Sequence, residues 1–174
     1  MVDIDRRKKL AFHLRQLAVG LTTNDDFENA VIEEITDGWL PEQYYRSKTA
    51  TNDDPIIIPM LELCWGLYDD TRRHKLIGSS KLSPEALKVI ARCILFLRSN
   101  QEYKWPYFNV KPNFSLIDFL LAILTFGYNL KSIRDDQEQF YLEWQDLGDF
   151  DVWPFFSRAD YDIQLKHQPY LNGV

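Results

Sequence analysis

Apolar side chains recur at helical spacing from the start of the chain. Leu10, Leu14 and Leu17 fall three or four residues apart with Ala11 and Ala18 beside them, which predicts a helix from about Asp5 to Val19, stopped by Gly20. Thr22, Thr23 and Asn24 then offer capping side chains. Asp25, Asp26 and Glu28 follow in what would be a first turn, where the positive end of the helix dipole favours carboxylates; this second helix is expected to reach about Ile35. The stretch DGWLPEQYYRSKTATNDDP has no clear period and reads as a long connection, with a short strand or a helical turn around Tyr44. A third helix is expected from about Pro55 to Arg72, with Asp53 or Asp54 as its cap. Pro59 counts against that start.

The strongest local signal is SPEALKVIARCILFLRSN. Ser83 is placed to cap, Pro84 to take the first helical position, and only Glu85, Lys88 and Arg92 make a polar stripe on an otherwise apolar helix. Such a helix belongs at the centre of a bundle. Ser115 to Gly127 is similarly apolar, but with Asp118 inside it and fewer than the roughly 20 residues a membrane span needs, it reads as a core helix. Further helices are expected over about Asp135 to Asp146 and Arg158 to Lys166. No long run of alternating polarity occurs, so the fold is predicted to be mainly α: a single-domain, irregular bundle of about five helices spanning residues 1–174, with long aromatic-rich loops. The tetrapeptide TNDD occurs at Thr23–Asp26 and Thr51–Asp54. It reads as two uses of one capping chemistry and not as a duplicated domain, because no longer period follows either copy.

Composition places the chain among ordinary globular domains, at 45% hydrophobic and 26% charged, with a high aromatic share of 14%. Two cysteines, Cys64 and Cys93, lie far apart among apolar neighbours. They read as buried thiols and point to a reducing, cytoplasmic setting; the N-terminal segment shows no export signal. The net charge of −6 is segregated: residues 1–20, 21–70, 71–104, 105–134 and 135–174 carry +3, −10, +6, +2 and −7. Either these blocks face one another or lie on separate solvated faces, or an acidic lobe meets a basic partner.

The segments TNDDFE (Thr23–Glu28), GLYDDTRRHKL (Gly66–Leu76), EALKVIARCILFLRSNQEYKWP (Glu85–Pro106) and DVWPFFSRADY (Asp151–Tyr161) together resemble a family of small bacterial proteins of uncharacterised function. The resemblance implies a single domain from a bacterial cytoplasm and carries over no catalytic or binding residue.

Candidate chemistry is sparse. His13, His74 and His167 lie in separate segments without a zinc-ligand spacing. Carboxylates are grouped at Asp25–Asp26, Asp69–Asp70, Asp135–Asp136 and the spaced set Asp146, Asp149 and Asp151; a hydrolase would use two of these as acid and base, or three to hold Mg²⁺, with Asp160 a further member of the C-terminal set. Arg72, Arg73 and Lys75 flank His74 in a basic run that would touch phosphates in a nucleic-acid binder. Against that, the run is short, matches cations expected at the end of the third helix, and sits in a chain with pI near 5.1. Two Trp–Pro steps, Trp105–Pro106 and Trp153–Pro154, are embedded in rings. Such loops either plug a core or anchor a partner, so Trp105, Tyr107, Trp153, Phe155, Phe156, Arg158 and Asp160 form the candidate interaction surface. The expectation is a non-enzymatic interaction module with no catalytic residue, metal or cofactor assigned. Its partner would be another protein, a basic one such as the target of an inhibitor or immunity-like protein, or a second copy of the chain; a membrane is not expected.

Overall fold

The structure is a computed structural model that describes residues 1–47, 53–105 and 147–167. It is mainly helical, with no strand among the described residues. The helices are α1 (Ile4–Ala18), α2 (Asn24–Glu34), the single turn α3 (Pro41–Tyr44), α4 (Ile57–Trp65), α5 (Pro84–Leu97) and α6 (Arg158–His167). Short 3-10 turns occupy Gly78–Ser80 and Phe150–Val152. The helices expected at 115–127 and 135–146 lie outside the described residues.

Local chemistry sets the ends of α1 and α2. The Asp3 carboxylate accepts from the Arg6 amide at the start of α1. At its end Gly20 adopts φ +70°, and the amides of Gly20 and Leu21 return to the carbonyls of Leu17 and Gln16, both at 2.9 Å. This left-handed exit satisfies orphan carbonyls and suits glycine. A Cβ at Gly20 would also come within 2.4 Å of Ile77 Cγ2. Thr23 caps α2, its hydroxyl oxygen accepting from the Asp26 amide. The turn expected around Tyr44 is helical.

The third helix departs from expectation at both ends. It covers Ile57–Trp65 rather than Pro55–Arg72, and Ile56 caps it without a side-chain hydrogen bond. Asp54 is drawn instead into an ion pair with Arg7, so the second TNDD does not repeat the capping role of the first. At the far end, the Asp69 carboxylate takes both the amide and the hydroxyl of Thr71, a local turn that competes with further helix.

Helix α5 starts as its sequence predicts, with the Ser83 hydroxyl oxygen accepting from the Ala86 amide at 3.1 Å and Pro84 in the first turn. It buries Ile90, Ala91 and the run Cys93–Leu97. α1 packs most extensively on α5 and also lies against α2, while α6 makes a smaller contact with α5. The core is therefore centred on α5, into which α1 sends Leu10, Leu14 and Leu17. Ser83→Ala is expected to cost about 1 kcal/mol, the worth of a serine N-cap, read as a lower urea midpoint with unchanged slope. An unaltered midpoint would show that Pro84 alone sets the start of α5.

Candidate functional site

The rings expected to mark an interaction surface divide between core and rim. Trp105 is 3% exposed, its indole N–H donates to the Phe155 carbonyl at 3.2 Å, and it packs against Phe150 and Phe156. Gly148 permits that seat, since a Cβ there would lie 2.8 Å from the Trp105 ring. Phe155 is fully buried between Phe96 and Tyr161. Trp105 and Phe155 thus plug the core and are withheld from a partner, a correction to their place in the expected surface; the reason is that the 150–156 loop folds back over α5. Arg92 holds it there by donating to the carbonyls of Asp151 and Trp153.

At the rim, Trp153 is half-buried and donates to the Tyr103 hydroxyl, and Phe156 is half-buried beneath Lys104. Arg158 is exposed, 3.7 Å from Asp149. Asp160 works in the first turn of α6: its carboxylate accepts from the Ser157 hydroxyl, which accepts from the Asp160 amide. Tyr107 lies outside the described residues.

The carboxylates proposed for a metal-assisted hydrolase are engaged separately. Asp149 accepts from the Asp151 amide and faces Arg158, the Asp160 carboxylate accepts from the capping Ser157 hydroxyl, and Asp146 is outside the described residues. Among the described residues no three His, Cys, Asp or Glu side chains converge as metal ligands. His13 meets Glu34 at 3.2 Å between α1 and α2. Cys64 and Cys93 are both buried; burial pushes the Cys93 thiol up to about 12 and the Cys64 thiol higher still, so neither is a thiolate nucleophile at neutral pH.

The basic run sits elsewhere than expected. Since α4 ends at Trp65, residues 72–75 do not cap a helix C-terminus but strap across the N-terminus of α2. Buried Asn24 organises the strap: its amide donates to the His74 carbonyl, its side-chain oxygen accepts from the His74 amide, and its side-chain nitrogen donates to the Arg72 carbonyl. Arg73 grips both oxygens of Asp26 at 2.9 and 3.0 Å, and Lys75 donates to the Leu21 carbonyl. Arg72 lies 3.9 Å from Asp69, so each of the three cations offered to phosphate already has a partner in the chain. Beside the strap is an open cleft of about 260 Å³ lined by Tyr68, Asp69, Arg72, His74 and Ser80 among others. Burial first, and the Glu28 carboxylate next, hold the Tyr68 hydroxyl well above its ordinary range; it is a neutral phenol there.

The strap gives a pH signature. The Thr23 hydroxyl, and after it Arg73, hold Asp26 below the usual carboxylate range. A depressed folded-state value stabilises the fold above the unfolded value and loses that contribution as pH falls through the folded one. Asp26→Asn is therefore expected to flatten the acid-side fall in Tm below about pH 4. A carbon-detected NMR titration placing Asp26 at or above that pH would contradict the arrangement.

A buried ionic network escaped the sequence reading. Arg7 and Asp54 have fully buried side chains and meet through two bonds, Nε to Oδ2 at 2.6 Å and Nη2 to Oδ1 at 2.8 Å. Arg7 also donates to the Gln101 carbonyl at 2.7 Å. Beside it, Arg6 pairs with Asp53, which accepts from the Tyr44 hydroxyl at 2.6 Å. The signal was available: Arg7 continues the line of Leu10, Leu14 and Leu17 at spacings of three and four, so it lies on the core face and requires a buried acid.

The opposite face of α1 is open. Phe12 and Val19 are 53% and 54% exposed, and Leu21 and Ile77 continue the apolar surface past the helix end at 63% and 58%. Lys8, Lys9 and Arg15 are exposed on the same side. No family model, curated protein or solved structure matches the chain.

Proposed function

We propose that this protein is a non-enzymatic interaction module that binds another protein and acts by occupying it, as an inhibitor, adaptor or immunity-like protein does. The observation that carries this reading is the outer side of α1 and its continuation, where four large apolar side chains stand exposed among cations. Single exposed apolar residues are normal on a soluble domain, whereas several aligned on one side mark a contact surface. The acidic block of residues 21–70 supports a basic partner less well, because Asp26, Asp37, Asp53 and Asp54 already pair with Arg73, Arg6 and Arg7. Two buried, unoxidised thiols suit a reducing compartment.

The test is affinity capture of the full-length tagged protein from a lysate of its source organism at low and high salt, followed by reconstitution with the retained protein. A stoichiometric complex that re-forms from the two purified components is the expected result. Saturable turnover of a small substrate by the isolated protein, with no complex formed, would replace the reading with a catalytic one.

A further inference from the structure

On the side of α1 away from the core, Asp5, Lys8, Phe12, Arg15 and Val19 follow one another at spacings of three and four. At 100° per residue they fall within an arc of about 80° and run about 21 Å along the axis. Those spacings are the a and d positions of a heptad, the geometry by which one helix seats another. Leu10, Leu14 and Leu17 fill the core-facing line of the same helix, so α1 carries two seams, one occupied within the fold and one open.

We propose that the open seam of α1 docks an acidic amphipathic helix of another protein, with Phe12 and Val19 against its apolar side chains and Lys8, Lys9 and Arg15 facing its carboxylates. This rests on the interaction-module reading and names the partner's chemistry. Charge complementarity selects the occupant. Lys9 and Arg15 form no ion pair among the described residues, and Lys8 has only Asp5 at 3.9 Å, itself 92% exposed. A cationic strip left unbalanced on a chain of net charge −6 attracts a negative surface and sets its register.

Other occupants fit less well. Phosphates would reward the cations but not burial of Phe12 and Val19 between them. A bilayer would favour an apolar tip projecting beyond the cations, whereas Phe12 lies among Lys8, Lys9 and Arg15 along the helix. A second copy would have to offer an acidic helix; on α2 Asp26 and Glu34 are already engaged by Arg73 and His13, Glu28 faces Tyr68, and Asp25 and Glu33 alone make no acidic seam along it.

The experiment uses the full chain with photo-reactive p-benzoylphenylalanine in place of Phe12, irradiated in a lysate of the source organism, with the cross-linked peptide sequenced. The expected adduct is to one other protein, within a segment of helical apolar spacing and excess Asp and Glu. It should fall about tenfold or more with Lys8→Glu/Arg15→Glu, as reversal of complementary charges predicts, and should also fall in high salt with the original charges in place. Lys88→Glu, on the exposed stripe of α5, should leave it unchanged. An adduct with lipid, nucleic acid, a second copy or a segment without excess carboxylates would overturn the proposal. So would an adduct indifferent to charge reversal and salt, or none above that of the same probe at exposed Ile163. Affinity capture with Lys8→Glu/Arg15→Glu separates the two readings: a partner still retained leaves the module standing without this seam, and no partner for either form removes both.

Discussion

Arg7→Met is expected to destabilise the fold by about 3 to 5 kcal/mol, the usual cost of removing one member of a buried ion pair. The Asp54 carboxylate would keep its bonds from the Asp3 amide at 2.8 Å and the Ile56 amide at 3.4 Å, but would lose both guanidinium bonds and remain buried. The carbonyls of Gln101 and Ser99 would lose a donor as well. Arg7→Met/Asp54→Leu should recover part of the loss, because an apolar pair carries no uncompensated charge; those carbonyls and the Asp3 amide keep the recovery incomplete. Urea unfolding of the three variants checks both statements. A single variant within about 1 kcal/mol of the parent would mean that water reaches Asp54, contrary to its burial.

The same residue shows what could be read from sequence. Helices α1, α2, α5 and α6 were legible because their signals are local: the leucine period in α1, Thr23 and Ser83 as caps, and Gly20 as a stop. α4 was misplaced because its start depends on Asp54 bonding to a residue 47 positions earlier, a contact that no window around Pro55 contains. Without that pairing, Asp54 looks like a cap and Arg7 like one of four solvated cations. The basic strap was misread for a related reason. Its placement depends on Asn24, whose side chain crosses to the backbone of residues 72 and 74, whereas at close range Asn24 reads only as a helix-capping residue.

The rings were counted correctly but not placed. Trp105 and Phe155 look alike in sequence whether they plug a core or anchor a partner, and only the return of the 150–156 loop over α5 decides it. The candidate seam was written in the sequence as plainly as the core seam, on the other side of the same helix. An apolar period singles out the leucine line, whereas the outer line alternates apolar with charged residues.

Phe96→Ala is expected to cost about 3 to 5 kcal/mol, the range for truncating a buried aromatic side chain. Phe96 is 1% exposed, and its ring meets Phe155 edge-on with centroids 5.1 Å apart and Tyr103 at 6.2 Å. The Arg7 guanidinium lies over the same ring, 5.2 Å from its centroid. The truncation therefore opens a cavity where the aromatic loop rests on α5 and removes the surface against which Arg7 is held. Because the two residues touch, their effects should not add. A double-mutant cycle between Phe96→Ala and Arg7→Met is expected to show a coupling of about 0.5 to 3 kcal/mol, measured from denaturant midpoints at constant slope. Additive losses would separate the ionic network at the start of α1 from the ring cluster over α5, and coupled losses would make them one cooperative unit, in which the helix carrying the open seam is fixed from beneath by the core.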